Sequence, residues 1–195
     1  MAKKKAPNTK DNKTNAPLKK STNEDSENNF LIVGMGASAG GLESFTEFFE
    51  IMPENSGMAF VLVQHLDPTH KSLMVDLIKK HTQMIISEVV DHTEVQPNHI
   101  YVIPPNKDMA IFNGVLHLMD PTQARGFRKP IDYFFRSLAE DQMEKAIGIV
   151  LSGTGTEGTL GLKNIKNQGG LAIVQEPTTA KYDGMPRSVI AANAH

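Results

Sequence analysis

The stretch Phe30-Leu31-Ile32-Val33-Gly34-Met35-Gly36-Ala37-Ser38-Ala39-Gly40-Gly41-Leu42 decides the fold. Its apolar start, residues 30–33, reads as a fully buried strand, and glycines follow. Leu42, Phe45, Phe48, Phe49 and Met52 then fall on one helical face that stops at Pro53. The same alternation continues outward. Residues 59–63 predict a second buried strand, and Leu73, Met74, Leu77 and Ile78 a short helix. Residues 85–90 and 99–103 predict two more strands, the latter closed by Pro104-Pro105. Asn113-Gly114 between residues 109–112 and 115–118 signals a hairpin, because Asn-Gly supplies the positive φ angles of a two-residue turn. Pro130 suits a first helical position, with Ile131, Phe134, Phe135 and Leu138 as the buried stripe behind it. Residues 147–151 predict a buried strand, then come a Gly-rich loop, a helix ending at Gly169-Gly170, and a strand at 171–174. Buried strands alternating with helices define an α/β fold with a mainly parallel sheet, into which an antiparallel hairpin is inserted.

Composition sharpens the boundaries. The 195 residues are 39% hydrophobic and 22% charged, the balance of a soluble globular chain. Beyond Met1, residues 1–29 hold one large aliphatic residue, Leu18, and so bury too little to offset the entropy of ordering them. They read as a disordered polar tail ahead of one domain at 30–195. The tail carries seven lysines against four carboxylates. With a net charge of −2 for the whole chain, a tail at +3 leaves −5 for the domain, which argues against a nucleic-acid surface. The absence of cysteine excludes disulfides and thiolate chemistry and suits a reducing cytoplasm. No apolar run follows the basic start or reaches transmembrane length, so neither signal peptide nor membrane insertion is expected. The chain stops at His195 in what reads as the opening of a helix after Met185-Pro186-Arg187, as in a domain cut from a longer protein.

Open parallel sheets bind ligands outside the carboxyl ends of their strands. Three strands deliver a hydroxyl, an imidazole and a carboxylate at that end: Ser38, His65 directly after Val63-Gln64, and Glu157 in the loop 152–158. A serine hydroxyl is a poor nucleophile until a base removes its proton, and the base works best with a carboxylate fixing its tautomer. Gly36-Ala37-Ser38-Ala39-Gly40 between strand and helix has the form of a nucleophile elbow, which leaves the Ala39 N–H free to face an oxyanion. The order Ser, His, Glu differs from the Ser, Asp/Glu, His order of α/β-hydrolases.

In combination these motifs resemble the catalytic domain of chemotaxis protein-glutamate methylesterases. The resemblance spans roughly residues 30–190 and rests on Gly36-Ala37-Ser38-Ala39-Gly40-Gly41, Val63-Gln64-His65, Leu151-Ser152-Gly153-Thr154-Gly155-Thr156-Glu157-Gly158 and Asp183-Gly184-Met185-Pro186-Arg187. It implies a doubly wound, mostly parallel sheet with helices on both faces. It also implies Ser38 as nucleophile, His65 as base, Glu157 as the acidic member, and oxyanion N–H groups at Ala39 and Thr154. The implied reaction is hydrolysis of γ-glutamyl methyl esters on chemoreceptor helices, releasing methanol, with glutamine deamidation beside it and without a cofactor. Three positions depart from the family pattern: Ala39 stands where Thr is usual, Thr154 where Met is frequent, and Glu157 where Asp is usual. Residues 1–29 are too short to hold the receiver domain that precedes many such esterases, which fits the architecture in which a methyltransferase follows the esterase.

Other readings compete. Gly34-x-Gly36-x-x-Ala39 fits a dinucleotide fingerprint, but the next strand ends in Gln64-His65 rather than in the acidic residue that binds ribose. His65, Asp67 and His70 have possible metal spacing but lack a third neutral ligand, so no metal is expected. Glu157 also suits a helix start, and Asp183 and Arg187 a structural role. A weakly catalytic docking module of the same fold, gripping receptor helices or a fused methyltransferase, is the alternative function.

Overall fold

β1 (Ile32–Ala37) begins two residues later than its apolar run suggests and takes in both glycines of Gly34-Met35-Gly36; all six of its residues are buried. The computed structural model describes residues 1–3, 30–64, 73–124 and 127–195. The strand extends through the glycines because a helix lies against them. A Cβ on Gly34 would meet Leu138, Phe135 and Phe134 at 2.9–3.1 Å, and one on Gly36 would sit 2.3 Å from Ile131 Cγ2. Those four residues belong to α3 (Pro130–Gln142), with Pro130 at its start as expected. The glycines thus serve the packing of a helix on a strand. In a dinucleotide fingerprint the first glycine makes the turn after the strand, and here both lie inside it.

Chain order runs β1, α1 (Gly41–Ile51), β2 (Ala59–Gln64), α2 (Met74–Ile78), β3 (Ile85–Glu88), β4 (Thr93–Glu94) and β5 (His99–Val102). The hairpin β6 (Asp108–Phe112) and β7 (Val115–Met119) follows, then α3, β8 (Ala146–Val150), α4 (Thr159–Asn167), β9 (Leu171–Val174) and α5 (Gly184–Ala191). Six strands form one sheet in the order β3-β5-β2-β1-β8-β9, and every neighbouring pair in it is parallel. The chain winds outward from β1 to β2 and beyond, then returns to the other side of β1 through β8. The switch point of this doubly wound sheet therefore lies between β1 and β8.

Alternation along β1 divides the core. Val33, Met35 and Ala37 join Phe45 and Phe49 of α1 and Met74 and Ile78 of α2 on one face. Ile32 lies on the other with Ile131, Phe134, Phe135 and Leu138 of α3, Leu162 and Ile165 of α4, and Met185 and Val189 of α5. Each of the larger apolar side chains among them contributes about 1.5–3 kcal/mol when buried. Phe49 and Phe60 meet edge to face, with ring centroids 5.3 Å apart. Among the described residues, no helix is long and apolar enough to cross a membrane.

The expected antiparallel hairpin is present, and it joins β4 in a separate three-stranded antiparallel sheet, order β4-β7-β6. Asn113 and Gly114 turn at φ 49° and 72°, and both N–H groups donate to the Asp141 carboxylate at the end of α3. The small sheet is so fastened to α3. The apolar strands at 85–88 and 171–174 are edge strands with outward faces: Ile85, Leu171 and Ile173 are exposed.

A Gly36→Ala substitution is expected to cost about 1–3 kcal/mol, because its methyl group would overlap the fully buried Ile131. Denaturant unfolding checks the figure.

Candidate active site

β1 ends at Ala37, opposite Gln64, the last residue of β2. Beyond it, Ser38 to Gly41 form a tight turn closed by the Gly41 N–H donating to the Ser38 carbonyl at 3.0 Å. Gly40 has φ 73° and ψ 6°, the values that position i+2 of a type II turn requires and that favour glycine. Ser38 is not among the positive-φ residues, so the turn carries its left-handed residue two positions past the serine. α1 starts immediately after, without a side-chain cap. Its N-terminus directs positive potential toward the turn.

The loop after β8 lies alongside. Ser38 N–H donates to the Ser152 carbonyl (3.0 Å) and Leu151 N–H to the Gly36 carbonyl (2.9 Å), which extends the strand pairing past the sheet edge. A Cβ on Gly153 would lie 3.0 Å from Ser38 Cβ and 2.1 Å from Met185 Sδ. Glycine at 153 therefore lets the loop sit directly on the serine. Among the described residues, no acceptor meets the N–H of Ala39 or of Thr154. Those two donors belong to the turn and the loop that flank Ser38.

Ser152 locks the assembly. It is fully buried; its Oγ donates to the Ala39 carbonyl (2.9 Å) and accepts from the Tyr182 N–H (3.0 Å). Its N–H donates to Gln175 Oε1 at 2.8 Å, and that oxygen also accepts from Ser44 Oγ of α1. One hydroxyl thus joins the serine turn, the loop after β8 and the segment before α5. In the sequence Ser152 stands out only as part of a glycine-rich motif, and a serine among glycines is the signal that points to it. Ser152→Ala would strand the Tyr182 N–H and the Ala39 carbonyl, at about 1–3 kcal/mol. We expect a lower melting temperature together with a fall in kcat larger than any rise in KM, measured on the same preparation, since the hydroxyl holds the Ala39 carbonyl in the turn beside Ser38.

Gln64 is a second residue that sequence reading left in the background. Its Nε2 donates to the Ser38 carbonyl at 3.1 Å, and its buried Oε1 has no partner among the described residues. The next residue, His65, lies outside the described residues, as do Asp67 and His70.

Glu157 is buried and its Oε1 accepts the Ile131 N–H at 2.7 Å. Pro130 has no N–H to give, so Ile131 offers the first amide donor of α3. The helix-start reading of Glu157 is correct in kind, although the helix it caps is α3 and not its own α4. Asp132 returns the favour by accepting the Gly161 N–H of α4 at 2.8 Å. Burial pushes the Asp132 carboxyl above the ordinary carboxylate range, and the nearby Glu157 charge adds to the rise. The Ile131 side chain connects this carboxylate to the serine strand, standing against both Gly36 and Gly158.

In the last motif, Asp183 accepts from Arg187 Nε, and Met185 is fully buried beneath Gly153. Gly184 approaches so closely that a Cβ there would stand 3.1 Å from the Gly155 N. An open depression beside Thr154 is lined by Lys181, Tyr182 and Asp183. Lys181 pairs with Glu43 of α1 at 2.6 Å, holding that wall to the helix behind the serine turn.

A serine at the switch point of a doubly wound parallel sheet, beside two N–H groups that have no acceptor among the described residues, suits an α/β ester hydrolase. Comparison with known proteins narrows the class. The sequence matches the family described as CheB methylesterase over residues 33–195. It is 32% identical over 165 residues to a protein-glutamate methylesterase/protein-glutamine glutaminase of Desulfotalea psychrophila, covering 81% of this chain and 45% of the relative. A Leptospira interrogans protein provisionally given the same double name is 32% identical over 167 residues, 85% of this chain and 86% of its own length. The catalytic domain of the Thermotoga maritima CheB methylesterase superposes with a TM-score of 0.78 at 28% identity, covering 85% of this chain and 89% of that one. The chain belongs to the CheB methylesterase family, and with it to the carboxylic ester hydrolases. It spans nearly the whole of the Leptospira relative and about half of the Desulfotalea one.

Proposed function

We propose that this chain removes methyl groups from glutamate γ-methyl esters of chemoreceptor helices through Ser38, His65 and Glu157. Ser38 Oγ attacks the ester carbonyl while His65 takes its proton. The tetrahedral oxyanion forms between the N–H groups of Ala39 and Thr154, and its collapse expels methanol with the proton returned by His65. Water then cleaves the acyl-serine by the same relay, leaving glutamate. A glutamine side chain would follow the same course with ammonia as leaving group.

The observation that carries this reading is the lock at Ser152, which holds the serine turn and the loop after β8 together at the switch point. The role of His65 rests on the motif Val63-Gln64-His65, and that of Glu157 on its place in the loop. Family membership favours a working esterase over a docking module. Receptor helices are the proposed partner, in the cytoplasm, with a fused or cognate methyltransferase supplying the methyl esters; no nucleic acid and no cofactor enter the scheme. Methanol release from a methylated receptor fragment, compared between the native chain and Ser38→Ala, tests it, and equal rates in the two would remove Ser38 from the reaction.

A further inference from the structure

The small antiparallel sheet carries a cluster that the ester chemistry does not use. Asp91, His92 and His117 each offer one ligand atom, and these atoms lie within 4.8 Å of one another. We propose that the three bind a divalent cation of borderline softness, with zinc the ion that suits the donor set best. Two imidazoles and one carboxylate, without thiolate, match the nitrogen and oxygen ligands zinc takes at about 2.0–2.2 Å. At those bond lengths, neighbouring corners of a tetrahedron are about 3.3–3.5 Å apart. Asp91 Oδ2 and His92 Nδ1 already stand 3.1 Å apart. His117 has its ligand atom within 4.8 Å of both, and the fourth corner is left to water.

Local geometry shows the cluster to be built. In the β4–β7 register Thr93 faces Leu116, so His92 and His117 come next to each other as the ladder ends. Their rings meet edge to face with centroids 4.9 Å apart. Asp91 and His92 are the two central residues of a turn closed by the Thr93 N–H donating to the Val90 carbonyl at 3.2 Å. His92 adopts φ 64° there, a conformation that glycine or asparagine takes with less strain. Asp91 is held as well: its Oδ1 accepts the N–H groups of Leu118 (2.9 Å) and His92 (3.0 Å), which turns Oδ2 toward the imidazole. Such backbone anchoring of a carboxylate is the outer support that orients metal ligands. Bound there, the ion would staple the turn before β4 to β7.

The test uses the full chain, freed of metal with a chelator and titrated with zinc chloride by calorimetry in a non-chelating buffer. One zinc per chain is expected, with affinity weakened at least about tenfold by His117→Ala, His92→Asn or Asp91→Asn. Asparagine at 92 tolerates positive φ, and asparagine at 91 keeps an acceptor for Leu118, so folding is preserved and circular dichroism verifies it. Unchanged affinity and stoichiometry in the His92→Asn/His117→Ala double variant would overturn the proposal by placing zinc on other histidines, as would no binding by the native chain. Nitrogen-15 spectra of the native chain decide independently: the imidazole signals of His92 and His117 shift together on adding zinc, or the site is refuted.

Discussion

Replacing Ser38 by alanine is expected to lower methanol release by about 10⁴-fold or more, the scale on which serine hydrolases lose activity with their nucleophile. The change removes one oxygen. The Ser38 Cβ beside Gly153 stays, and so do the backbone bonds from Ser38 to Ser152 and from Gly41 to the Ser38 carbonyl, and the Gln64 side-chain bond to that carbonyl. The melting temperature should therefore move by no more than about 2 °C. Residual hydrolysis would report what the Ala39 and Thr154 N–H groups achieve alone, and Ser152→Ala in the Ser38→Ala background should lower it further. A Ser38→Ala chain that unfolds early would show instead that the hydroxyl holds the turn together. A chain that releases methanol at the native rate would move the nucleophile elsewhere.

The chain order of strands and helices was legible because the period of apolar residues changes cleanly from buried runs to helical stripes, as at 59–63 and 131–138. Strand limits were less so. Residues 30–33 suggested a strand that stops at the first glycine, since a glycine pair looks like a turn in one dimension. Only the arrival of α3, some hundred residues later, explains why Gly34 and Gly36 stay extended. The same information was missing for the hairpin: Asn113-Gly114 announces the turn, but the Asp141 carboxylate that fixes the small sheet on α3 is distant in sequence.

At the site, Ser38 and the loop 152–158 were legible through glycine spacing, and the structure brings them into contact. Ser152 and Gln64 were not singled out, because their value lies in hydrogen bonds to backbone of other segments. Residue identity does not encode such partners. Asp91, His92 and His117 were scattered for the same reason, and only the β4–β7 register assembles them.

Glu157 allows a second large effect to be separated from stability. Its carboxylate caps α3 through the Ile131 N–H, and in the proposed relay it also fixes the base. Glu157→Gln keeps a carbonyl oxygen for Ile131 and removes the charge. If the carboxylate steadies the imidazolium, kcat should fall by about 10²–10⁴-fold, as when a triad carboxylate becomes an amide, with KM nearly unchanged. The melting temperature should hold or rise slightly, because removing the Glu157 charge also relieves its repulsion of Asp132. Glu157→Ala, by contrast, should lose both, with about 1 kcal/mol of helix capping gone along with the activity. A stable Glu157→Gln chain with kcat within threefold of native would restrict Glu157 to the cap of α3 and leave the relay to Ser38 and His65. The two variants thus divide one carboxylate between its two roles, since the amide substitutes for it at the helix and not beside a charged imidazole.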